Sequence, residues 1–361
     1  RSVHGSVLTQ YPDGDEFEEA EELGVAWTGL SATRTVEAVH ELNVAGGMAE
    51  AEAAIRKFDE PTQNFVYADA DGNTYYWVTG QIPIRTTDGE PVQGTRVFDG
   101  SAREGEWGPG YTPFGESSWE GFVPYEEKPG VRNPDYLATA NQRLMDDPEH
   151  YISEGYAPPF RGDRIYDRLD ERAASDEPMD AAFARDVQLD VVDPRYELFR
   201  PAIEASRELD DTRLPDLNYD PYQVVLDWDG RMEPDAVGAL VFERWVRNFR
   251  AETFDAAFED AGLPDDFSKP NDYVLGTLPA DSEWFDGDRA VVAHQAMERT
   301  ARELADEGWD DYGDWNRVRF EHPFDQPFLN YDRLRTSGSP GTVRNFHSEA
   351  STGASWRMVA T

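Results

Sequence analysis

Residues 61–85, PTQNFVYADADGNTYYWVTGQIPIR, constrain the fold more than any other stretch. Phe65-Val66-Tyr67-Ala68 and Thr74-Tyr75-Tyr76-Trp77-Val78-Thr79 are aromatic and β-branched runs, and Asp71-Gly72 between them supplies the residue types of a tight primed turn. The spacing predicts a β-hairpin. Asn64 enters its first strand, and Arg85 follows the second, just after Gly80 and Pro83 end the ladder. On residue chemistry alone Asn64 can be a cap on a surface hairpin or a polar group held for binding or catalysis, and both readings stay open at this point.

The length of 361 residues suits one large or two ordinary domains with a real core. A hydrophobic content of 39% with 12% aromatics excludes a disordered chain. Charge is the outlier: 73 acidic against 33 basic residues give −40 at pH 7, and Lys57, Lys128 and Lys269 are the only lysines. Such self-repulsion destabilises a compact chain in dilute buffer, so the composition reads as salt adaptation of a halophile. The same field makes nucleic acid and anionic membranes poor partners. With no cysteine there are no disulfides, thiol nucleophiles or thiolate metal sites. No apolar run approaches the length of a membrane span. The chain opens Arg1-Ser2-Val3-His4-Gly5, without Met or a signal peptide, and so reads as a fragment or a processed chain.

In chain order, residues 3–10 and 24–28 are expected as strands flanking the acidic run 13–22, and residues 33–42 and 48–58 as two helices leading into the hairpin. Residues 86–112 read as a loop excursion, and residues 137–141 as a buried strand entered by the turn Asn133-Pro134. A long helical half follows from Gly155, with helices expected over 179–192, 195–209, 221–228, 236–249 and 290–306. Trp228 and Trp245 read as core packing. Short strands are expected again around residues 322–324, 338–343 and 353–359, with residues 338–342 as a turn rather than a phosphate loop. His4 reads as a structural histidine, because no serine, aspartate or second histidine recurs nearby at a triad or metal spacing. Glu126 and Glu127, taken as strand neighbours, point to opposite faces and cannot flank one bond as a glycosidase pair.

N-x-x-x-A-D-x-x-G-N from Asn64, G-x-x-P-x-R from Gly80 and W-x-G-x-x-P-Y-E-E-x-P from Trp119 occur in an order and spacing that resemble the penicillin acylase (penicillin amidase) family of N-terminal nucleophile hydrolases. The opening H-G, then Asn133-Pro134, Thr139-Ala140-Asn141, His322-Pro323, G-x-x-x-T-V from Gly338 and G-x-S-x-R-x-V from Gly353 extend the resemblance over nearly the whole chain. It implies an α+β fold, part of a four-layer αββα core, with core strands and the Asn64 hairpin in residues 1–145, a mainly helical excursion in 146–315 and a return to core strands in 316–361.

The resemblance also implies chemistry. A precursor cleaves itself to expose a serine at the start of the β chain, and that serine attacks an amide while its own α-amine takes the proton. Asn64 matches the residue whose side-chain amide holds the developing oxyanion, and Arg85 matches by spacing the arginine that orients it and polar substrate groups. No position here fits the nucleophile: Arg1 lacks a hydroxyl, and Ser2 lies in the H-G block, which comes well downstream of the family's serine. The expected partners are therefore the α chain and the N-terminal part of the β chain of the same precursor. Expected substrates are small acylated amines such as β-lactams or acyl-homoserine lactones, and the expected location is extracellular or at the cell surface. No catalytic cofactor is implied. A structural calcium is, with Asp69 as the candidate ligand, although D-x-D-G-N lacks the loop spacing of an EF-hand. The competing reading is a binding or surface protein that retains the fold without catalysis.

Overall fold

The computed structural model describes residues 4–8, 22–209, 214–215, 217–264, 267–322, 324, 326–348, 352–354 and 357–360. Residues 13–21 of the acidic run, Val3, Thr9 and Gln10 of the first expected strand, Pro323, Ser355 and Trp356 lie outside the described residues. The chain divides into two compact units, residues 1–157 and 158–361.

The first unit is organised by its hairpin. Strands β1 (Ser6–Leu8) and β2 (Leu23–Val25) pair antiparallel and are followed by helices α1 (Thr35–Val44) and α2 (Met48–Ile55). Strands β3 (Asn64–Ala68) and β4 (Thr74–Val78) form the predicted hairpin, and β5 (Arg85–Thr87), β6 (Glu90–Pro91) and β7 (Glu106–Trp107) make a separate small sheet. Strand β8 (Gly130–Arg132) then completes a three-stranded sheet in the order β3-β4-β8. Side chains alternate across this sheet, so each face has its own core. Tyr75 and Trp77 pack with Ile55, Leu42, Met48 and Tyr125 on the helix side. Tyr76 and Val78 pack with Ile82 and Val123 on the other side. Trp77 stacks between Tyr75 and Tyr125 at 5.5 and 5.3 Å.

The hairpin turn differs from the tight primed form. Asp69 N–H donates to Asn73 O and Gly72 N–H to Asp69 O, so the loop between the bonded pair spans three residues, with Gly72 at φ 84°. That is a type I turn closed by a left-handed glycine, and Asp71 needs no positive φ. Two further expectations are corrected. Residues 137–141 form no strand: Ala140 N–H bonds the Gln142 side chain and Asn141 adopts φ 67°, which breaks an extended ladder. Glu126 and Glu127 lie in the 3-10 turn Tyr125–Glu127, not in a strand.

The second unit is mainly helical: α3 (Phe160–Ala173), α4 (Ala181–Gln188), α5 (Arg195–Arg207), α6 (Pro221–Leu226), α7 (Val237–Asp260), α8 (Asp272–Thr277), α9 (Arg289–Glu307) and α10 (Tyr312–Trp315). Helix α7 is its axis and runs past the expected end at Phe249, because Thr253 and Phe254 remain buried in the same core. Asp220, Asn271 and Asp288 cap α6, α8 and α9 by accepting backbone N–H bonds. Trp245 is fully buried and donates its indole N–H to Ala293 O, while Trp228 packs at the edge of this core. Strands β9 (Arg317–Phe320) and β10 (Tyr331–Arg335) pair with each other, as do β11 (Phe346–His347) and β12 (Thr352–Gly353). His322 and Phe324 therefore sit in the connection between β9 and β10, not in a strand, and residues 338–342 form the expected turn.

A buried ionic network ties this unit together. Arg195 bonds Asp193 at 2.7 Å, Glu243 at 2.5 Å and Asp272 at 2.8 Å, and Ser339 Oγ donates to Asp193 from the turn. The network joins α5, α7, α8 and the 338–342 turn with every charge partnered, the condition under which buried ions are tolerated.

Candidate active site

Asn64 is the first residue of β3, opposite Val78. Its backbone position is fixed by the bonds next to it, since Thr79 N–H and hydroxyl both donate to Gln63 O, at 2.9 and 3.3 Å. Its side chain is fixed as well: the Tyr76 hydroxyl donates to Asn64 Oδ1 at 2.8 Å. Tyr76 is 8% exposed and lies two residues before Asn64's partner Val78, on the same face of the sheet. With the carbonyl end occupied, the Nδ2 hydrogens are the end left to donate, and among the described residues none accepts from them. Val66, next along this face, is 53% exposed. A half-buried amide donor held by its carbonyl end can stabilise a negative oxygen that approaches it.

Arg85 begins β5, opposite Trp107. Its guanidinium carbon lies 5.9 Å from the Trp107 ring centre and 6.0 Å from that of Tyr151. In a chain so rich in carboxylates, no described carboxylate pairs with it. Burial lowers the Arg85 pKa, with Tyr151 pulling slightly the other way. The side chain lines a cavity of about 730 Å³ together with Ile84, Arg143, His150, Tyr151 and Tyr156. Asn64 and Arg85 are thus on different sheets. Ile82 and Ile84, in the connection leading to Arg85, pack with Tyr76 and Val78 on the face that carries Asn64.

Asp69 faces its own turn. Oδ1 accepts from the backbone N–H of Asp71 and Asn73 and from Asn73 Nδ2, and Oδ2 accepts from Asn73 Nδ2 and the Tyr67 hydroxyl. These bonds, the Asn73 side chain first, hold its carboxyl below the usual range. They engage both carboxylate oxygens within the hairpin turn. Among the described residues no group of three or more His, Asp or Glu is arranged to hold a metal ion. His4 Nε2 lies 3.1 Å from Glu106, a contact between distant segments. Glu126 pairs with Arg56 and Arg132, and Glu127 with His150 at 2.7 Å. The two glutamates thus serve different partners.

Three side chains escaped the reading of the sequence: Tyr76, which orients Asn64; Tyr151, which faces Arg85; and the buried Lys128. Only Tyr76 left a signal, since pairing the two strands of the hairpin puts it on the Asn64 face.

The penicillin amidase family matches residues 1–361. The chain belongs to that family. Penicillin acylase 2 proenzyme of Pseudomonas sp. (strain SE83) is 27% identical over 302 residues, covering 79% of this chain and 35% of that protein. Penicillin G acylase of Escherichia coli is 26% identical over 215 residues, covering 57% of this chain and 22% of that protein. The chain therefore spans about a third or less of the length of these relatives. The structure of thermostable penicillin G acylase from Alcaligenes faecalis superimposes with a TM-score of 0.54 at 17% identity, over 85% of this chain and 57% of that one. The mixed helix-and-sheet fold is thus that of a penicillin G acylase, and the family is one of amide hydrolases. Among the described residues no helix is long and apolar enough to cross a membrane.

Proposed function

We propose that this chain is the part of a penicillin acylase-type amide hydrolase that holds the oxyanion, with Asn64 as the donor. The observation that supports this reading is the bond from Tyr76 to Asn64 Oδ1, which holds the carbonyl end of the Asn64 amide and leaves its Nδ2 hydrogens to donate. A donor fixed in advance stabilises the transition state without reorganisation at the moment of reaction.

The nucleophilic serine comes from outside this chain, in the part of the precursor that supplies the α chain and the start of the β chain. Its hydroxyl attacks the amide carbonyl and its α-amine takes the proton, a base suited to the work by a reference pKa of about 7.7–8.0. Negative charge grows on the carbonyl oxygen, where Asn64 Nδ2 donates. The leaving amine then takes a proton, and water resolves the acyl-enzyme. Arg85 orients polar substrate groups from the cavity wall. The substrates are small acylated amines, with β-lactams and acyl-homoserine lactones as the classes to screen, and the site of action is extracellular or at the cell surface. A structural calcium, if the complete enzyme binds one, draws its ligands from residues other than Asp69.

Expression of the complete precursor tests this reading. Two chains on a denaturing gel, with amide hydrolysis that the 361-residue chain alone does not catalyse, are the expected result. A single uncleaved chain without turnover would favour a binding protein that keeps the fold. Arg85→Lys in the processed enzyme should raise KM, because a point charge does not replace a planar fork; unchanged kinetics would remove Arg85 from the site.

A further inference from the structure

Lys128 is one of three lysines in the chain, and it is 7% exposed. Lys57 and Lys269 make ion pairs with glutamate or aspartate. Lys128 does not: its ammonium donates to the backbone carbonyl of Gly80 and lies 5.8 Å from the centre of the Tyr125 ring. An ammonium buried without a carboxylate in contact costs stability, so its position calls for a reason other than stability.

The reason lies in what Gly80 touches. Gly80 adopts φ 85°, and a Cβ there would come within 2.6 Å of the Thr62 hydroxyl and 2.7 Å of its Cα. Its N–H donates to Phe58 O, while the preceding Thr79 holds Gln63 O. The residue after Lys128 grips the same strand end, since Pro129 O accepts from Val78 N–H at 2.9 Å, and Val78 is the strand partner of Asn64. Residues 128–129 therefore clamp 78–80, and 78–80 press on 62–64.

We propose that Lys128 is a positioning residue for Asn64: its ammonium anchors the Gly80 carbonyl and so fixes the strand end from which the Asn64 amide is presented. The proposal rests on the reading of Asn64 as the oxyanion donor. Around Lys128 the charged and titratable groups are Asp59, which is paired with Arg34 at 2.9 Å and with Gln81, and Tyr125, whose hydroxyl meets that of Tyr75. The flanking Glu126 and Glu127 are occupied by Arg56, Arg132 and His150. Burial lowers Lys128 to about 8, partly offset by Asp59, while burial pushes Tyr125 up to about 12. Lys128 is thus the group on this wall that changes charge near pH 8. Losing its proton replaces a charge-assisted bond to Gly80 by a weaker neutral one.

Linkage gives the sign. Because the folded-state value lies below the ordinary lysine value of about 10.4, the cost of burying the charge is present below about pH 8 and is relieved as pH rises above it. Lys128→Met should therefore raise the unfolding midpoint of the 361-residue chain at pH 7 while loosening Asn64. The decisive experiment follows the Asn64 side-chain amide by NMR in that chain from about pH 6 to about pH 10. The resonance should titrate with a midpoint near that of Lys128 in the unmodified chain and should be flat in Lys128→Met. A flat response in the unmodified chain, or an unchanged titration in Lys128→Met, overturns the proposal. In the complete enzyme Lys128→Met should lower kcat by about tenfold at unchanged KM, the order expected for loss of a supporting group. If the NMR titration disappears but kcat does not move, the coupling stands and the assignment of Asn64 as oxyanion donor fails.

Discussion

The two units of this chain differ in how their most deeply buried cations, Arg195 and Lys128, are held. In residues 158–361 the core is one continuous cluster around α7, and the ions placed inside it, Arg195 with Asp193, Glu243 and Asp272, satisfy one another. In residues 1–157 the core is split between the two faces of a three-stranded sheet, and the buried or half-buried cations Lys128 and Arg85 meet a carbonyl and aromatic rings instead of carboxylates. Closed networks rigidify, whereas incompletely paired groups retain bonding capacity for something else. The contrast separates a part built for stability from a part built to present polar groups, and the residues proposed for chemistry, Asn64 and Arg85, lie in the latter.

That separation can be broken experimentally. Glu243→Ala removes one wall of the closed network and takes one carboxylate from the buried Arg195, so unfolding free energy should fall by about 3–5 kcal/mol in urea titrations. A loss under about 1 kcal/mol would show that the network is not what holds the helical unit. A smaller effect is expected from salt. The Debye length falls from about 10 Å at 0.1 M to about 3 Å at 1 M, which relieves the repulsion of a chain at −40. The thermal midpoint should climb by on the order of 2–4 °C, equivalent to about 1 kcal/mol. A flat or falling midpoint would mean that the acidity answers to something other than salt. Smallest is Asp69→Ala, which removes the acceptors that close the hairpin turn and should cost about 0.5–1 kcal/mol with no dependence on calcium. Calcium-dependent stability that vanishes in this variant would return Asp69 to the metal ligands.

The hairpin and the helices were legible because each rests on local patterns: aromatic alternation in residues 65–68 and 74–79, and three- and four-residue apolar spacing in α1, α2, α7 and α9. Features that depend on one side chain reaching a distant backbone were not. Asp69 fills its turn with its own carboxylate, which converts an expected two-residue turn into a three-residue one. Residues 137–141 read as a buried strand, yet of Leu-Ala-Thr-Ala-Asn only Thr139 is a strong strand former, and the Gln142 side chain takes the backbone N–H of Ala140 that a ladder would use. Lys128 is invisible for the same reason, because the carbonyl it anchors is 48 positions away. At the site, Asn64 was reached through its motif, whereas the side chain that orients it, Tyr76, becomes apparent once the strand register is known.

The role of Asn64 is tested most directly by Asn64→Ala against the unmodified residue in the complete, processed enzyme. Loss of the oxyanion donor should lower kcat by about 10²–10³. Thermal unfolding should stay nearly unchanged, because the half-buried Asn64 side chain adds a single bond from Tyr76 to the fold. A fall in kcat of about tenfold or less, or one that merely follows a loss of stability, would contradict the account and make Asn64 the cap of a hairpin.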